Sequence, residues 1–331
     1  MVELNGIDRN IAMEAVRVTE AAAISASRHT GRGDATAADQ AAVEAMHTAL
    51  KTLNIAGTVS IGEGSKDEAP RLFVGENVGN ALGSKVDVAL MPLEGATTLA
   101  RGEPNALSII AMAEEGQFLS TPTRLYMDKI AVGGGLPEGV IDLDRSPAEN
   151  LGAVADAKGI PIRELVVCIL DRPRHFELIG KLRETGAMIK LIGDGDVSSV
   201  IETTWLKGGI DVYYGIGGAS QGVLAAAALA CVGGQMEGRV ICRNEEDRKR
   251  AYAAGIEDIN KKYSVEDMAG GEVTMAVTGI TGSAMLKPVS REGGTVITHS
   301  LILRSKTSTV RYLEAYHHSV RKRPGKSGNA A

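Results

Sequence analysis

Apolar residues recur at helical spacing from Asp8 to about His29, with Ile11, Val16, Val18, Ala22 and Ile24 on one stripe, and the pattern resumes from Ala35 to about Leu53 after the GRGD break. Two long helices are therefore expected to open the chain. The period then shortens to that of strands, in runs that end in acidic or glycine-rich turns. These are TVSI before Gly62-Glu63-Gly64, VDVAL before Met91-Pro92-Leu93-Glu94-Gly95, and SIIAMA before Glu114-Glu115-Gly116. Such a pattern predicts helices on one face of a mixed sheet.

Beyond about residue 160 the rhythm becomes strand, turn, helix. LVVCIL leads into Asp171-Arg172-Pro173-Arg174-His175, MIKLI into Gly193-Asp194-Gly195-Asp196, and VYYGI into a glycine run and the helix-prone VLAAAALA. That alternation predicts parallel βα units whose loops, at the carboxyl ends of the strands, face a ligand. EVTMAVTGIT, TVITHSLILRS and STVRYLEAY are strand-rich again and are expected to close the second sheet. The expected division is a helix-plus-mixed-sheet half over residues 1–160, a βα-repeat half over 161–320 and a mobile basic tail over 321–331. No linker separates the halves, which places the site between them.

Composition narrows the chemistry. With 36 Lys+Arg against 41 Asp+Glu the net charge is -5, which argues against a partner nucleic acid held on a basic face and leaves a local phosphate pocket open. Glycine is abundant, 40 of 331 residues, against a background of roughly 7%, so many tight loops are implied. Only 3 Phe, 7 Tyr and 1 Trp are present, so the core is expected to be aliphatic and Ala-rich, without a base-stacking platform. Cys168, Cys231 and Cys242 form no C-x-x-C pair and read as inert buried thiols in a reducing compartment. The N-terminus lacks the order of a signal peptide, and no run approaches the roughly 18 apolar residues of a membrane span, so a cytoplasmic protein with no membrane partner is expected.

The acids of interest sit at strand ends or in glycine turns: Asp34 in GRGD, Glu63, Asp67 and Glu68 in IGEGSKDEAP, and Glu94 in MPLEGATT. Carboxylates on loops beside glycine suit hard cations such as Mg²⁺ or Mn²⁺; a turn or cap role is the commoner account of any one such acid, and three such turns together weaken it. In DRPRH, Arg172 and Arg174 precede a helix start, a combination suited to a phosphate dianion or, more plainly, to surface ion pairs. The run GIGGASQG departs from the G-x-G-x-x-G dinucleotide spacing, and the histidines show no zinc-ligand spacing.

Taken over nearly its full length, the chain resembles the class II (GlpX-type) fructose-1,6-bisphosphatases. The resemblance is carried, in family order, by RVTEAAA, GRGD, IGEG-x-x-DEAP, NALSIIA, YMDKIAVG, DRPRH, DGDV, YYGIGGA, GG-x-M-x-G, AVTGIT and SKTSTVR. It implies an α/β fold, an inositol-monophosphatase-like αβαβα sandwich with two sheets, and metal-assisted hydrolysis of a sugar bisphosphate. Fructose-1,6-bisphosphate is the implied substrate, with sedoheptulose-1,7-bisphosphate as a relative of it. On this resemblance Asp34 and Glu63 are ligands of one Mn²⁺ or Mg²⁺, Asp67 helps activate water, and Glu94 is a ligand of a second ion. Glu94, Gly95, Ala96, Tyr126, Arg172, Pro173, Arg174, Asp194, Gly195, Asp196 and Gly218 are the implied sugar-phosphate contacts. The first half would then bind metal and the second phosphate, in a homodimer or homotetramer.

The departures from that pattern concentrate at the acidic side. Where the family writes D-P-[ILC]-[ED]-G-T, this chain has Met91-Pro92-Leu93-Glu94-Gly95-Ala96; GEGE reads Gly62-Glu63-Gly64-Ser65, and GGAPEG reads Gly217-Gly218-Ala219-Ser220-Gln221-Gly222. A thioether is too soft for Mg²⁺ or Mn²⁺, and Gln221 supplies an oxygen without charge. The expectation is one retained ion, a doubtful second one and weakened turnover, or a paralogue that binds sugar phosphate or regulates an active sister subunit.

Overall fold

The computed structural model describes residues 11–205 and 209–318, so the expected tail over 321–331 lies outside the described residues. Helices α1 (Ile11–Ala26) and α2 (Ala35–Leu50) open the chain where the periodicity places them. The strands β1 (Ile55–Ile61), β2 (Asn77–Val78), β3 (Ser84–Glu94) and β4 (Leu107–Ala113) follow, with the short helix α3 (Ala96–Arg101) between the last two. A second sheet then begins with β5 (Tyr126–Gly133). It continues through α4 (Pro147–Lys158), β6 (Val166–Leu170), α5 (Phe176–Glu184), β7 (Met188–Ile192), α6 (Asp196–Glu202), β8 (Val212–Gly218), α7 (Ala219–Val232) and β9 (Gly234–Ile241). After α8 (Glu245–Ala253) the chain returns to the first sheet with β10 (Thr274–Gly279), β11 (Ser290–Glu292), β12 (Thr295–Arg304) and β13 (Thr309–His318).

This return corrects the sequence expectation. The late strands close the first sheet, whose order is β11-β12-β10-β4-β3-β1-β2 with β13 paired to β12, while the second has the order β7-β6-β8-β5-β9. The sheets accordingly do not part at residue 160: β5 lies before that point and belongs to the second sheet, and β10 to β13 lie after it and belong to the first. Apolar strands of this kind carry no mark of their partner, because pairing is a long-range choice.

Strict alternation along the strands generates the layers. On β4, Leu107, Ile109, Ala111 and Ala113 face the central core, whereas Ile110 and Met112 face the core beneath α1 and α2. On β6, Cys168 and Leu170 face the centre while Val167 and Ile169 face the outer core that holds Leu151 of α4 and Leu182 of α5. Between the sheets lies α7, buried nearly all round, and its Ala225, Ala226, Ala227 and Ala228 let both sheets close on it. The result is the expected αβαβα sandwich: helices, sheet, helices, sheet, helices.

The same topology gathers one end of each sheet. β1 and β3 are parallel, so Glu63 and Glu94 leave the first sheet on the same side. β6, β7 and β8 are parallel and their carboxyl ends bring Arg172, Asp194 and Gly218 beside the start of β5 at Tyr126 and the end of β9 at Ile241. The thiols are free; burial raises Cys168 to about 11 and Cys231 to about 12, whereas Cys242 is only partly buried, against the expectation of three buried thiols.

Candidate active site

Where those strand ends meet, a cavity of about 650 Å³ opens, the size of a small-ligand pocket. One wall is acidic. Pro92 interrupts the β3–β4 ladder, whose register shifts between Met91 and Glu94, and the irregularity delivers both side chains to the cavity. Glu94 is 5% exposed; its Oε1 accepts the Val197 N–H at 3.0 Å, and its buried Oε2 has no partner among the described residues. Burial first, and then the charges of Asp196 and Asp194, push this carboxyl up to about 8 against the pull of the Val197 N–H. Glu63 follows Gly62, where a side chain would meet the Leu72 carbonyl at 2.0 Å, and its own N–H donates to that carbonyl at 2.9 Å. Burial, helped by the nearby Asp39 carboxylate of α2, raises Glu63 to about 7.

The opposite wall is cationic. Arg174 directs Nε and Nη2 at the Ile216 carbonyl (3.0 and 2.8 Å), and Arg172 donates to the carbonyls of Asp171 and Gly193 and, at 3.3 Å, to Asp194. His175 is a structural pin, not an anion ligand. Its Nδ1–H donates to Leu170 O and its Nε2 accepts the Ile216 N–H, each at 2.8 Å, which fixes a neutral ring. Beneath the floor, Lys129 occupies an inward position of β5 between Met127 and Ala131 and is fully buried. Its ammonium bonds Asp196 Oδ2 at 2.6 Å and Gly218 O at 3.2 Å. Gly217 has to be glycine here, since a Cβ would lie 2.0 Å from Asp196 Oδ2.

Among the expected site residues, Glu63, Glu94, Gly95, Tyr126, Arg172, Arg174, Asp194, Gly195, Asp196 and Gly218 line this one cavity, together with the substituted positions Met91 and Gln221. Asp34, Asp67, Ala96 and Pro173 are not on its wall. Asp34 caps α2 by accepting the Ala37 N–H at 2.9 Å, and Asp67 is exposed in the turn after Gly64. Ala96 begins α3 and Pro173 begins the short 3-10 turn before α5. Sequence reasoning missed Arg124 and Arg243, which line the cavity, and Lys129 and Asp39 behind it. Lys129 left a readable trace, a cation at an inward period-two position of an apolar strand; Arg124 and Arg243, in loops, left none.

Over residues 9–317 the chain matches the family of bacterial, glpX-encoded fructose-1,6-bisphosphatases. It belongs to that family. It is 42% identical over 330 residues to fructose-1,6-bisphosphatase 1 class 2 of Escherichia coli (strain K12), an alignment covering 96% of this chain and 97% of that protein. The class 2 enzymes of Escherichia coli O6:H1 and Shigella flexneri match with the same identity and coverage. The GlpX family is one of metal-dependent hydrolases of carbohydrate metabolism. No helix among the described residues is long and apolar enough to cross a membrane.

The donors in this GlpX-type cavity do not fit the two divalent ions that the family resemblance implies. At the second position, Met91 Sδ stands 4.0 Å from Gln221 Nε2, so a sulfur and an amide face each other beside Glu94. Glu94 Oε2 is the one unpartnered buried carboxylate oxygen there. Among the described residues no three His, Cys, Asp or Glu side chains converge closely enough to hold a metal. Hard divalent ions need several oxygen donors and charge compensation, and neither is assembled.

The raised carboxyls give a pH signature. Glu63 and Glu94 bind protons more tightly folded than unfolded, where both titrate near 4.5, so their contribution to stability is full below that value and is lost as pH rises through about 7 and 8. Thermal unfolding of the native chain is expected to occur at a lower temperature at about pH 9 than at about pH 6, and Glu94→Gln is expected to flatten that slope. A native melting temperature that rises over this interval, or a slope that Glu94→Gln leaves unchanged, contradicts the assignment.

Proposed function

We propose that this chain recognises a ketose bisphosphate as its family does, fructose-1,6-bisphosphate first and sedoheptulose-1,7-bisphosphate second, and hydrolyses it at a strongly reduced rate. One observation carries the reading: a single cavity combines an arginine wall with an acidic wall in which Met91 and Gln221 face each other beside Glu94. The arginines bind and orient phosphate through charge-assisted hydrogen bonds, a role that needs no metal. Hydrolysis needs a charge-stabilised leaving oxygen and an activated water, and the groups that would serve these have been exchanged for neutral ones.

The test pairs binding with turnover. Fructose-1,6-bisphosphate is expected to raise the melting temperature of the full chain. Phosphate release with Mn²⁺ or Mg²⁺ is expected to fall at least about 10²-fold below that of the Escherichia coli relative under the same conditions, the scale of losing one major electrostatic contribution. Release at the relative's rate refutes the loss of turnover, and a melting temperature indifferent to every sugar phosphate refutes the recognition.

A further inference from the structure

We propose that His47, on the last turn of α2 and off the cavity wall, is a positioning residue for the acidic wall: through Glu76 it holds Leu72 in a left-handed turn, and the Leu72 carbonyl sets where Glu63 stands. The role in turnover rests on the hydrolysis proposed above; the placement of Glu63 does not.

The contacts begin at Leu72. Its φ is 55, a conformation that suits glycine and is costly for a residue that bears a side chain. The side chain is fully buried in the core beneath α1 and α2, and both backbone polar groups are taken. The N–H donates to Glu76 Oε2, and the carbonyl accepts the Glu63 N–H at 2.9 Å. The same carbonyl presses on Gly62, where a Cβ would lie 2.0 Å from it. Gly62 and Glu63 both line the cavity, so the direction of one carbonyl sets the path of the backbone that brings the Glu63 side chain to it. Returning Leu72 to a negative φ would turn that carbonyl away and leave the Glu63 N–H without its acceptor.

Glu76 can hold the turn only if it is itself held. Its Oε1 accepts a hydrogen bond from His47 Nε2 at 3.1 Å. The other ring nitrogen decides where the hydrogen sits: Arg71 Nη1 lies 3.1 Å from Nδ1, and a guanidinium can only donate, so Nδ1 accepts and Nε2 carries the N–H. Arg71 Nη1 also donates to Glu44 Oε1 at 2.6 Å, one turn before His47 on α2. The Glu76 carboxylate thus bridges a rigid helix and a strained turn, one oxygen to each. His47 is 7% exposed, and a hydrogen bond to a carboxylate is worth more there than in open water. A simple tie between helix and loop could fall anywhere along residues 63–76. This one falls on Leu72, the one residue of that loop, glycine apart, with a left-handed backbone. His47, Glu76 and Leu72 are all absent from the cavity wall, so their effect reaches it through the Leu72–Glu63 bond.

Amide hydrogen exchange of the full chain, read beside the kinetics of phosphate release from fructose-1,6-bisphosphate, tests the role. His47→Leu keeps bulk and loses the donor. It is expected to speed exchange of the Glu63 amide by about tenfold or more, the scale of one hydrogen bond to a charged group, while the Val88 and Leu90 amides of β3 change by less than about twofold. Its kcat is expected to fall by about tenfold with KM within about twofold of native, because the arginine wall is untouched. His47→Gln, whose amide N–H can replace Nε2–H, is expected to restore both. Glu76→Gln leaves one oxygen for two donors and is expected to repeat the effects of His47→Leu, which keeps the test open where that variant fails to fold. Glu63 exchange that rises no more than that of Val88 and Leu90, faster exchange with kcat unchanged, or no recovery in His47→Gln overturns the positioning role. A native chain that releases no phosphate defeats the hydrolytic reading instead, and the Glu63 amide, with its recovery in His47→Gln, then decides this inference.

Discussion

Met91→Asp combined with Gln221→Glu and Ala96→Thr is expected to raise Mn²⁺-dependent phosphate release from fructose-1,6-bisphosphate by about 10²-fold or more. The two substituted side chains already face each other, Met91 Sδ to Gln221 Nε2 at 4.0 Å, and Glu94 stands on the same wall with an unpartnered buried Oε2. Carboxylates at both positions would join Glu94 to make the oxygen cage that a hard cation requires. Without the cation the same change is costly, because three acids in one buried wall cannot all ionise, and Glu94 alone is already pushed up to about 8 by burial. The triple variant is therefore expected to melt below the native chain in chelator and to regain stability steeply as Mn²⁺ is added, a response the native chain lacks. Met91→Asp alone should recover only a small part of the rate, since the carboxylates act as one unit. A triple variant that gains Mn²⁺-dependent stability but no turnover would move the cause of the low rate away from this wall.

Much of the fold and of the candidate site is legible in the sequence. The helical stripe of α1 and the strand-turn-helix rhythm from β6 to α7 are local patterns, and local patterns survive folding. The acidic turn at Glu94 and the DRPRH and DGDV loops were readable for the same reason: a strand end followed by glycine or proline marks the exposed rim of a sheet. Sheet membership was not readable. β10 pairs with β4 across more than a hundred residues and carries β12 into the same sheet, and nothing in TMAVTG distinguishes the first sheet from the second. Arg124 and Arg243 escaped because their place on the cavity wall depends on where loops from different strands meet. Among the acids, Asp34 and Asp67 carry the family motif yet do not line the cavity, whereas Asp39, in no motif, is close enough to Glu63 to raise it.

Lys129→Met should lower the melting temperature by about 5 °C, taking roughly 3–5 kcal/mol for a broken buried ion pair and roughly 1.5 °C per kcal/mol for a chain of this size. The ammonium is fully buried and bonds Asp196 Oδ2 at 2.6 Å and Gly218 O at 3.2 Å, tying β5 to α6 and to the end of β8 under the cavity floor. Removing it strands the Asp196 carboxylate in a layer otherwise filled by residues such as Met127, Ala131 and Leu170. Met keeps the length of the stem, so little of the loss comes from an empty volume. The double variant Lys129→Met with Asp196→Asn removes both charges and is expected to recover most of the lost stability, because an isolated charge, not the missing pair, is what costs. It should not recover ligand binding. Asp196 lines the cavity as the first residue of α6, and its orientation there depends on the ammonium behind it. Stability restored together with unchanged bisphosphate affinity would reduce the pair to a structural tie. Stability restored with affinity still at least about tenfold weaker would show that the Lys129–Asp196 pair serves the cavity and not the fold alone.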